Sequence, residues 1–237
     1  MGSLANMPFD TKRRVVAPSV PVADADFQHP DHWGHAWWSA SEEWGLTMAC
    51  TVEVGWFLYG LVRSYQPSLC VETGTHRGLS SLFIGAALRD NDHGRLVTID
   101  IQDHGQAERI KARGLGEEWV TCRIQPSHTY EPDDTVDFLF LDAAHGYEPV
   151  AKELLHFRPY LSYGAIIAID DSRIVPDEQA VAENFKRLFS PLGGFQLLTS
   201  RGMYLLKYRE GIEKDDDTCL EYYRTLHNWL LPERAAE

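Results

Sequence analysis

Apolar and polar positions fall into two alternating textures along the middle of the chain. Short runs rich in β-branched and aromatic residues stand at 69–73, 96–100, 119–124, 136–142 and 165–170. Between them, at 79–89, 106–115 and 148–157, apolar residues return at helical spacing, and the same pattern recurs at 177–189. The runs predict strands and the intervening stretches predict helices. Strands that alternate with helices are joined by crossovers, so they lie parallel in an open α/β sheet. Two further runs, 195–200 and 203–208, are separated only by Arg201-Gly202, which is too short for a crossover. They predict an antiparallel hairpin at one edge of the sheet.

The flanks differ from this core. Leu46, Cys50, Val54, Phe57, Leu58 and Leu61 predict a helix over 45–65 that stops before Pro67. Residues 1–26 are polar and punctuated by Pro18 and Pro21, as an extended arm would be. Residues 27–45 crowd His29, His32 and His35 among Trp33, Trp37 and Trp38. Imidazoles at that spacing could ligate a metal from one helix face, but Pro30 and Gly34 disfavour a regular helix, and an aromatic lid is the ordinary alternative. A charged break, EGIEKDDD, precedes an aromatic helix over 218–231. The expected organisation is an arm, lid and helix over 1–65, an α/β core over 66–209 and a C-terminal helix over 210–237. The aromatic arm and terminal helix suit a homodimer or higher homo-oligomer.

Composition narrows the partners. With 22 Lys+Arg against 35 Asp+Glu the net charge is −13, which would repel a phosphate backbone and argues against nucleic acid. Apolar residues at 44% suffice for a core, yet no apolar run approaches the roughly 20 residues of a membrane span. Cys50, Cys70, Cys122 and Cys219 form no CxxC pair, as expected of thiols in a reducing compartment, and the N-terminus carries no signal pattern. A cytoplasmic protein away from membranes is expected.

Ligands of open parallel sheets bind beyond the carboxyl ends of the strands. The residues closing the predicted strands are Glu72-Thr73-Gly74, Asp100, Asp142 and Asp170-Asp171. One such carboxylate can simply cap the next helix, whereas four on one rim favour a site. In the first turn, CVETGTHRGLSS, Gly74 and Gly78 permit close backbone approach, and Thr75, His76, Ser80 and Ser81 bring polar groups to a helix start. About 25 residues on, Asp100 ends LVTID, where a carboxylate can accept both ribose hydroxyls of an adenosine moiety. Asp142, Asp170 and Asp171 come from neighbouring strand ends without a basic partner. A hard divalent cation such as Mg²⁺ would relieve their repulsion, the alternative being that Asp170 or Asp171 caps the following turn. His145, three residues after Asp142, is the residue type best matched to removing a proton near neutrality; its alternative role is to orient Asp142.

The order ETGTHRG, TID, FLFLDAAHGYE, GAIIAIDDS resembles the class I S-adenosylmethionine-dependent methyltransferases, and within them the macrocin O-methyltransferase-like, metal-assisted branch. The resemblance covers roughly residues 66–208. It implies a Rossmann-like sheet of seven mostly parallel strands, an antiparallel edge hairpin and helices on both faces. It implies that Glu72, Gly74, Thr75 and His76 surround the methionine end of the cofactor with Ser80 nearby, that Asp100 holds the ribose, and that Gln125–Ser127 flank the adenine. Asp142 is then shared by cofactor and metal, Asp142, Asp170 and Asp171 are metal ligands, and His145 is the base. The implied reaction moves a methyl group from S-adenosylmethionine to a hydroxyl of a small molecule, a natural-product sugar or a phenol. Two other functions share parts of this pattern. An NAD-type oxidoreductase would use the same glycine turn and Asp100, but the chain lacks GxGxxG and a Tyr-x-x-x-Lys pair. A non-catalytic S-adenosylmethionine-binding module would have no use for the convergent acids.

Overall fold

A strand covered on both faces has to bury every residue, and Leu69–Thr73 (β1) does so along its whole length. The computed structural model describes residue 50 and residues 52–145, 147–172, 194–197 and 202–208. Among them β1 is joined by β2 (Arg95–Asp100), β3 (Val120–Ile124), β4 (Val136–Leu141), β5 (Leu161–Ile169), β6 (Phe195–Leu197) and β7 (Met203–Lys207). They form one seven-stranded sheet in the order β3-β2-β1-β4-β5-β7-β6. Strands β1 to β5 pair in parallel, while β7 runs antiparallel to both β5 and β6. The predicted hairpin is present at the sheet edge, with β7 inserted next to β5 and β6 outermost. The chain winds outward from β1 to β3 and then returns to place β4 on the other side of β1. Strand order therefore reverses between β1 and β4, where a crevice opens at the carboxyl ends.

Helices cover both faces. On one side α1 (Val52–Tyr65) and α2 (Leu79–Asn91) share a core with Phe138 and Phe140, built around Val54, Leu58, Phe83 and Leu88. On the other, Val150 and Phe157 of α4 (Tyr147–Phe157) pack against Val71, Val97, Leu139 and Ile167. The short α3 (Gln106–Ala112) follows β2. The helix predicted ahead of Pro67 belongs to this fold. Tyr59 donates to Asp90 Oδ2 at 2.8 Å and Tyr65 to the Gly164 carbonyl at 2.9 Å, fastening α1 to α2 and β5.

Strand β5 begins four residues before its predicted start. Ser162, exposed Tyr163 and Gly164, whose φ is +86°, interrupt the apolar run there, and the pairing with β4 shifts register between Val136 and Phe138. A bulge of this kind hides a strand from any test based on strict alternation. The arm at 1–26, the His/Trp cluster at 27–45 and the helices expected at 177–189 and 218–231 lie outside the described residues. Among the described residues no helix is long and apolar enough to cross a membrane.

Candidate active site

The sheet register brings the predicted acids to one rim. Thr73 pairs with Ile99 and with Leu141, and Leu141 pairs with Ile169. One step further along their strands, Gly74, Asp100, Asp142 and Asp170 thus emerge at the same level. The ladder continues through them: Gly74 N–H donates to Ile99 O at 2.8 Å, Asp142 N–H to Thr73 O at 2.9 Å and Asp170 N–H to Leu141 O at 3.0 Å. Gly74 sits at the point of strand-order reversal with φ +86°, and a Cβ there would stand 2.3 Å from the Asp142 carbonyl oxygen.

The turn after Gly74 is organised by Asp100. His76 N–H donates to Asp100 Oδ2 at 2.7 Å and Gln102 N–H to Oδ1 at 3.0 Å, so two backbone groups fix the carboxylate. A carboxylate oxygen can accept more than one hydrogen bond, and both oxygens retain that capacity. His76 itself has φ +46°, a left-handed conformation of the kind found at ligand clamps. Burial, with His104 and Arg77 close by, lowers its pKa from the ordinary 6.5, and its Nδ1 is buried with no hydrogen-bond partner among the described residues. A neutral ring with an unsatisfied nitrogen on a cavity wall suits a polar ligand. Thr75 Oγ1 shares a 2.6 Å hydrogen bond with Thr98 Oγ1.

Glu72, expected beside the cofactor, lies beneath the rim. It is fully buried, and its carboxylate accepts from the Ser80 and Ser81 hydroxyls. It therefore anchors the start of α2 and sets the position of Ser80, which does line a cavity. Burial raises the Glu72 carboxyl above its ordinary 4.5, against the pull of the serine hydroxyls. The folded state then binds this proton more tightly than the unfolded chain, so stability falls as the pH climbs from 4.5 through the raised value. Glu72→Gln has no such titration. Its Tm relative to wild type is expected to rise across that window in melts at stepped pH, and a difference independent of pH would refute the raised value.

Two cavities share Gly74, Asp100 and Ala143. The smaller, about 130 Å³, is also lined by Cys50, Thr75, His76, Ser80, Asp142 and His145. The larger, about 580 Å³, is bounded by Ile101, Gln125, Pro126, Ser127, Pro149 and Glu153. They form a trough along the rim with the Asp100 carboxylate at its waist. All the predicted cofactor residues except Glu72 lie on its walls: Gly74, Thr75, His76, Ser80 and Asp142 at the narrow end, Ser127 at the broad end, Asp100 between. Glu153 and Ile101 were not among the predicted residues. Glu153 is only 6% exposed, on the inward stripe of α4 between Val150 and Phe157. A carboxylate on the buried stripe of an amphipathic helix was the available signal.

At the narrow end, Asp142, His145 and Asp171 form a group whose ligand atoms lie within 4.8 Å of one another. His145 Nε2 is 3.2 Å from Asp171 Oδ2. Asp171 is buried and takes φ +54°, one of the few left-handed non-glycine residues among those described. Asp142 and Asp171 were both expected here; the third member is His145, while Asp170, 3% exposed on the preceding rung, stands outside the group. Ligands roughly 2.0–2.5 Å from one cation can be up to about 5 Å apart, so the donor set fits a divalent ion, and its two carboxylates favour a hard one.

The sheet order is Rossmann-like and is the fold of the solved methyltransferases to which the chain is similar. Residues 71–172, spanning β1 to the Asp170-Asp171 turn, match the family model described as a methyltransferase domain. Rhamnosyl O-methyltransferases of Mycobacterium tuberculosis and Mycobacterium bovis are 24% identical over 166 residues, an alignment covering 66% of this chain and 66% of their length. Among solved structures, the O-methyltransferase TomG of Streptomyces achromogenes in complex with S-adenosylmethionine superposes with a TM-score of 0.55 at 21% identity, covering 72% of this chain and 88% of that one. The S-adenosylhomocysteine-bound Podospora anserina methyltransferase PaMTH1 reaches 0.60 at 19% identity, covering 73% and 88%.

Proposed function

We propose that the protein is an S-adenosylmethionine-dependent O-methyltransferase that acts on a hydroxyl of a small molecule. The observation that carries this reading is the Asp100 carboxylate, fixed by two backbone N–H groups at the waist of the trough. Bound there, S-adenosylmethionine would supply a methyl group activated by its sulfonium charge. Asp100 holds the ribose hydroxyls, and Gly74, Thr75, His76 and Ser80 enclose the amino-acid end. Ser127 and the apolar surfaces of Ile101, Pro126 and Pro149 flank the base. That division places the reacting end beside Asp142, His145 and Asp171.

His145 is the proposed base. With Asp171 accepting from Nε2, the neutral imidazole carries its proton on that nitrogen, and Nδ1 becomes the basic one. It takes the proton of the acceptor hydroxyl as the oxygen attacks. Asp142 and Asp171, with Asp170 one residue away, would hold a divalent cation such as Mg²⁺, which polarises a bound hydroxyl. Most of the acceleration is assigned to alignment of the reactants along the trough and to exclusion of water. No covalent enzyme intermediate is required.

The name of the curated relatives favours a sugar hydroxyl over a phenol as acceptor. The acidic net charge agrees with a cytoplasmic enzyme that binds neither nucleic acid nor membrane, and a homo-oligomer remains our reading of the flanking segments. Calorimetric titration of S-adenosylhomocysteine, with and without Mg²⁺, tests the central step. Wild type is expected to bind at micromolar concentration. Asp100→Ala removes two charge-assisted bonds worth roughly 1.5–3 kcal/mol each, which weakens binding on the order of a hundred- to ten-thousandfold. No binding by wild type under either condition would overturn the assignment.

A further inference from the structure

The loop that follows Asp100 is closed by a side chain that lines neither cavity. Gln106, the first residue of α3, is 1% exposed, and its carboxamide spans the loop. Its Oε1 accepts from the His104 N–H at 2.6 Å and its Nε2 donates to the Gln102 carbonyl at 3.2 Å. The Gly105 N–H donates to Asp103 Oδ1 at 2.8 Å and Arg109 donates to the His104 carbonyl, which brace the same turn from outside.

The two residues joined by Gln106 serve different parts of the trough. Gln102 N–H is one of the two donors that fix Asp100 at the waist, and Ile101 beside it walls the broad cavity. His104 meets the ring of His76 edge-on, with centroids 4.9 Å apart, and His76 lines the narrow cavity. The stem of Gln106 also packs against the glycine turn, where a Cβ on Gly78 would stand 3.7 Å from that of Gln106. This pattern of bonds demands an amide. A carboxamide offers an acceptor and a donor from one plane, whereas an ionised carboxylate only accepts and an alkyl side chain does neither.

We propose that Gln106 is a positioning residue of the cofactor site: by joining the Gln102 carbonyl to the His104 N–H it holds Asp100 and the His76 turn in binding geometry before the ligand arrives. The inference rests on the cofactor reading above and adds to it a residue that acts only through others. Its effect is read as affinity, because a loop that has to be ordered during binding weakens the complex by the cost of ordering it.

The test is calorimetric titration of S-adenosylhomocysteine against wild type, Gln106→Leu and Gln106→Glu, at about pH 8 and about pH 5.5, with folding checked by thermal melting. A buried glutamic acid stays neutral above its ordinary pKa of about 4.3, and the neutral carboxyl presents the same acceptor and donor as the amide. Asp100, Asp103, His76, Arg77, His104 and Arg109 surround this position in every variant, so each affinity is compared with that of wild type at the same pH. Gln106→Leu is expected to weaken binding by about ten- to a hundredfold at both pH values. Gln106→Glu is expected to match that loss at the higher pH and to recover to within about threefold of wild type at the lower. A side chain that served stability alone would lower the Tm of the variants and leave the affinity of the folded protein at the wild-type level. That result, or a Gln106→Glu deficit that is the same at both pH values, would overturn the inference and leave the cofactor reading standing. If wild type does not bind, the cofactor reading fails and this inference with it. Should one variant fail to fold, the other decides by the same comparison.

Discussion

Replacing His145 by alanine is expected to lower turnover by about 10²–10⁴-fold while leaving S-adenosylhomocysteine affinity within about twofold. The argument is positional. His145 stands at the narrow end of the trough, with Nε2 3.2 Å from Asp171 Oδ2, whereas the group assigned to the ribose is Asp100 at the waist and those assigned to the base lie beyond it. Removing the imidazole leaves the acceptor hydroxyl without a group to take its proton, yet withdraws nothing from the nucleoside half. Asp171→Asn should give an intermediate loss, because the ring remains but its orientation and tautomer are no longer enforced. Single-turnover rates with a sugar or phenol that the wild type methylates, measured beside calorimetry, separate the two effects. A His145→Ala enzyme that keeps full turnover would remove the histidine from the chemistry. Parallel loss of binding and turnover would instead make it part of the cofactor site.

Gly74→Ala is expected to reduce S-adenosylhomocysteine affinity at least a hundredfold and to lower the Tm, although one methyl group is all that it adds. The new Cβ would meet the Asp142 carbonyl oxygen at 2.3 Å, its carbon at 2.5 Å and the Ala143 nitrogen at 2.6 Å, all of them backbone. Neither strand end can yield without moving the rim, since Gly74 N–H and Asp142 N–H are both tied into the ladder. The left-handed φ of +86° adds roughly 1–2 kcal/mol of conformational strain. Gly114→Ala isolates that second term, because Gly114 has φ +78° but nothing within 4 Å of its would-be Cβ. It should lose about 2–4 °C in Tm per kcal/mol of strain and bind the ligand as wild type does. Equal behaviour of the two variants would show that strain, and not the close approach of β1 to β4, makes Gly74 necessary.

The contrast between these glycines bears on what a sequence can disclose. Strand ends were legible at Thr73 and Asp100, and to within one residue at Leu141 and Ile169 where 142 and 170 were expected, because an apolar run that stops at an acid is a local signal. The rim followed, since parallel strands emerge on one side. Register was not legible; it brings Asp170 level with Asp142, yet the group that forms is Asp142, His145 and Asp171. Glu72 looked like a ligand residue because it closes a strand, but strand residues alternate sides, and its carboxylate turns inward to Ser80 and Ser81. Glu153 escaped notice for the opposite reason. It belongs to a helix whose amphipathic pattern is satisfied without it, and its partners, Thr73 and Ser127, lie 80 and 26 residues away in the chain. The early start of β5 was concealed by the Ser162-Tyr163-Gly164 interruption, and the insertion of β7 beside β5 depends on long-range pairing that no local pattern encodes.

Helix α1 is fastened to the core through Tyr59 and Tyr65, and Cys50, two residues before it begins, already forms part of the wall of the smaller cavity. The stem of α1 thus carries one wall residue of the smaller cavity, so a change of side-chain volume at position 50 alters the narrow end of the trough while the broad end is left unaltered.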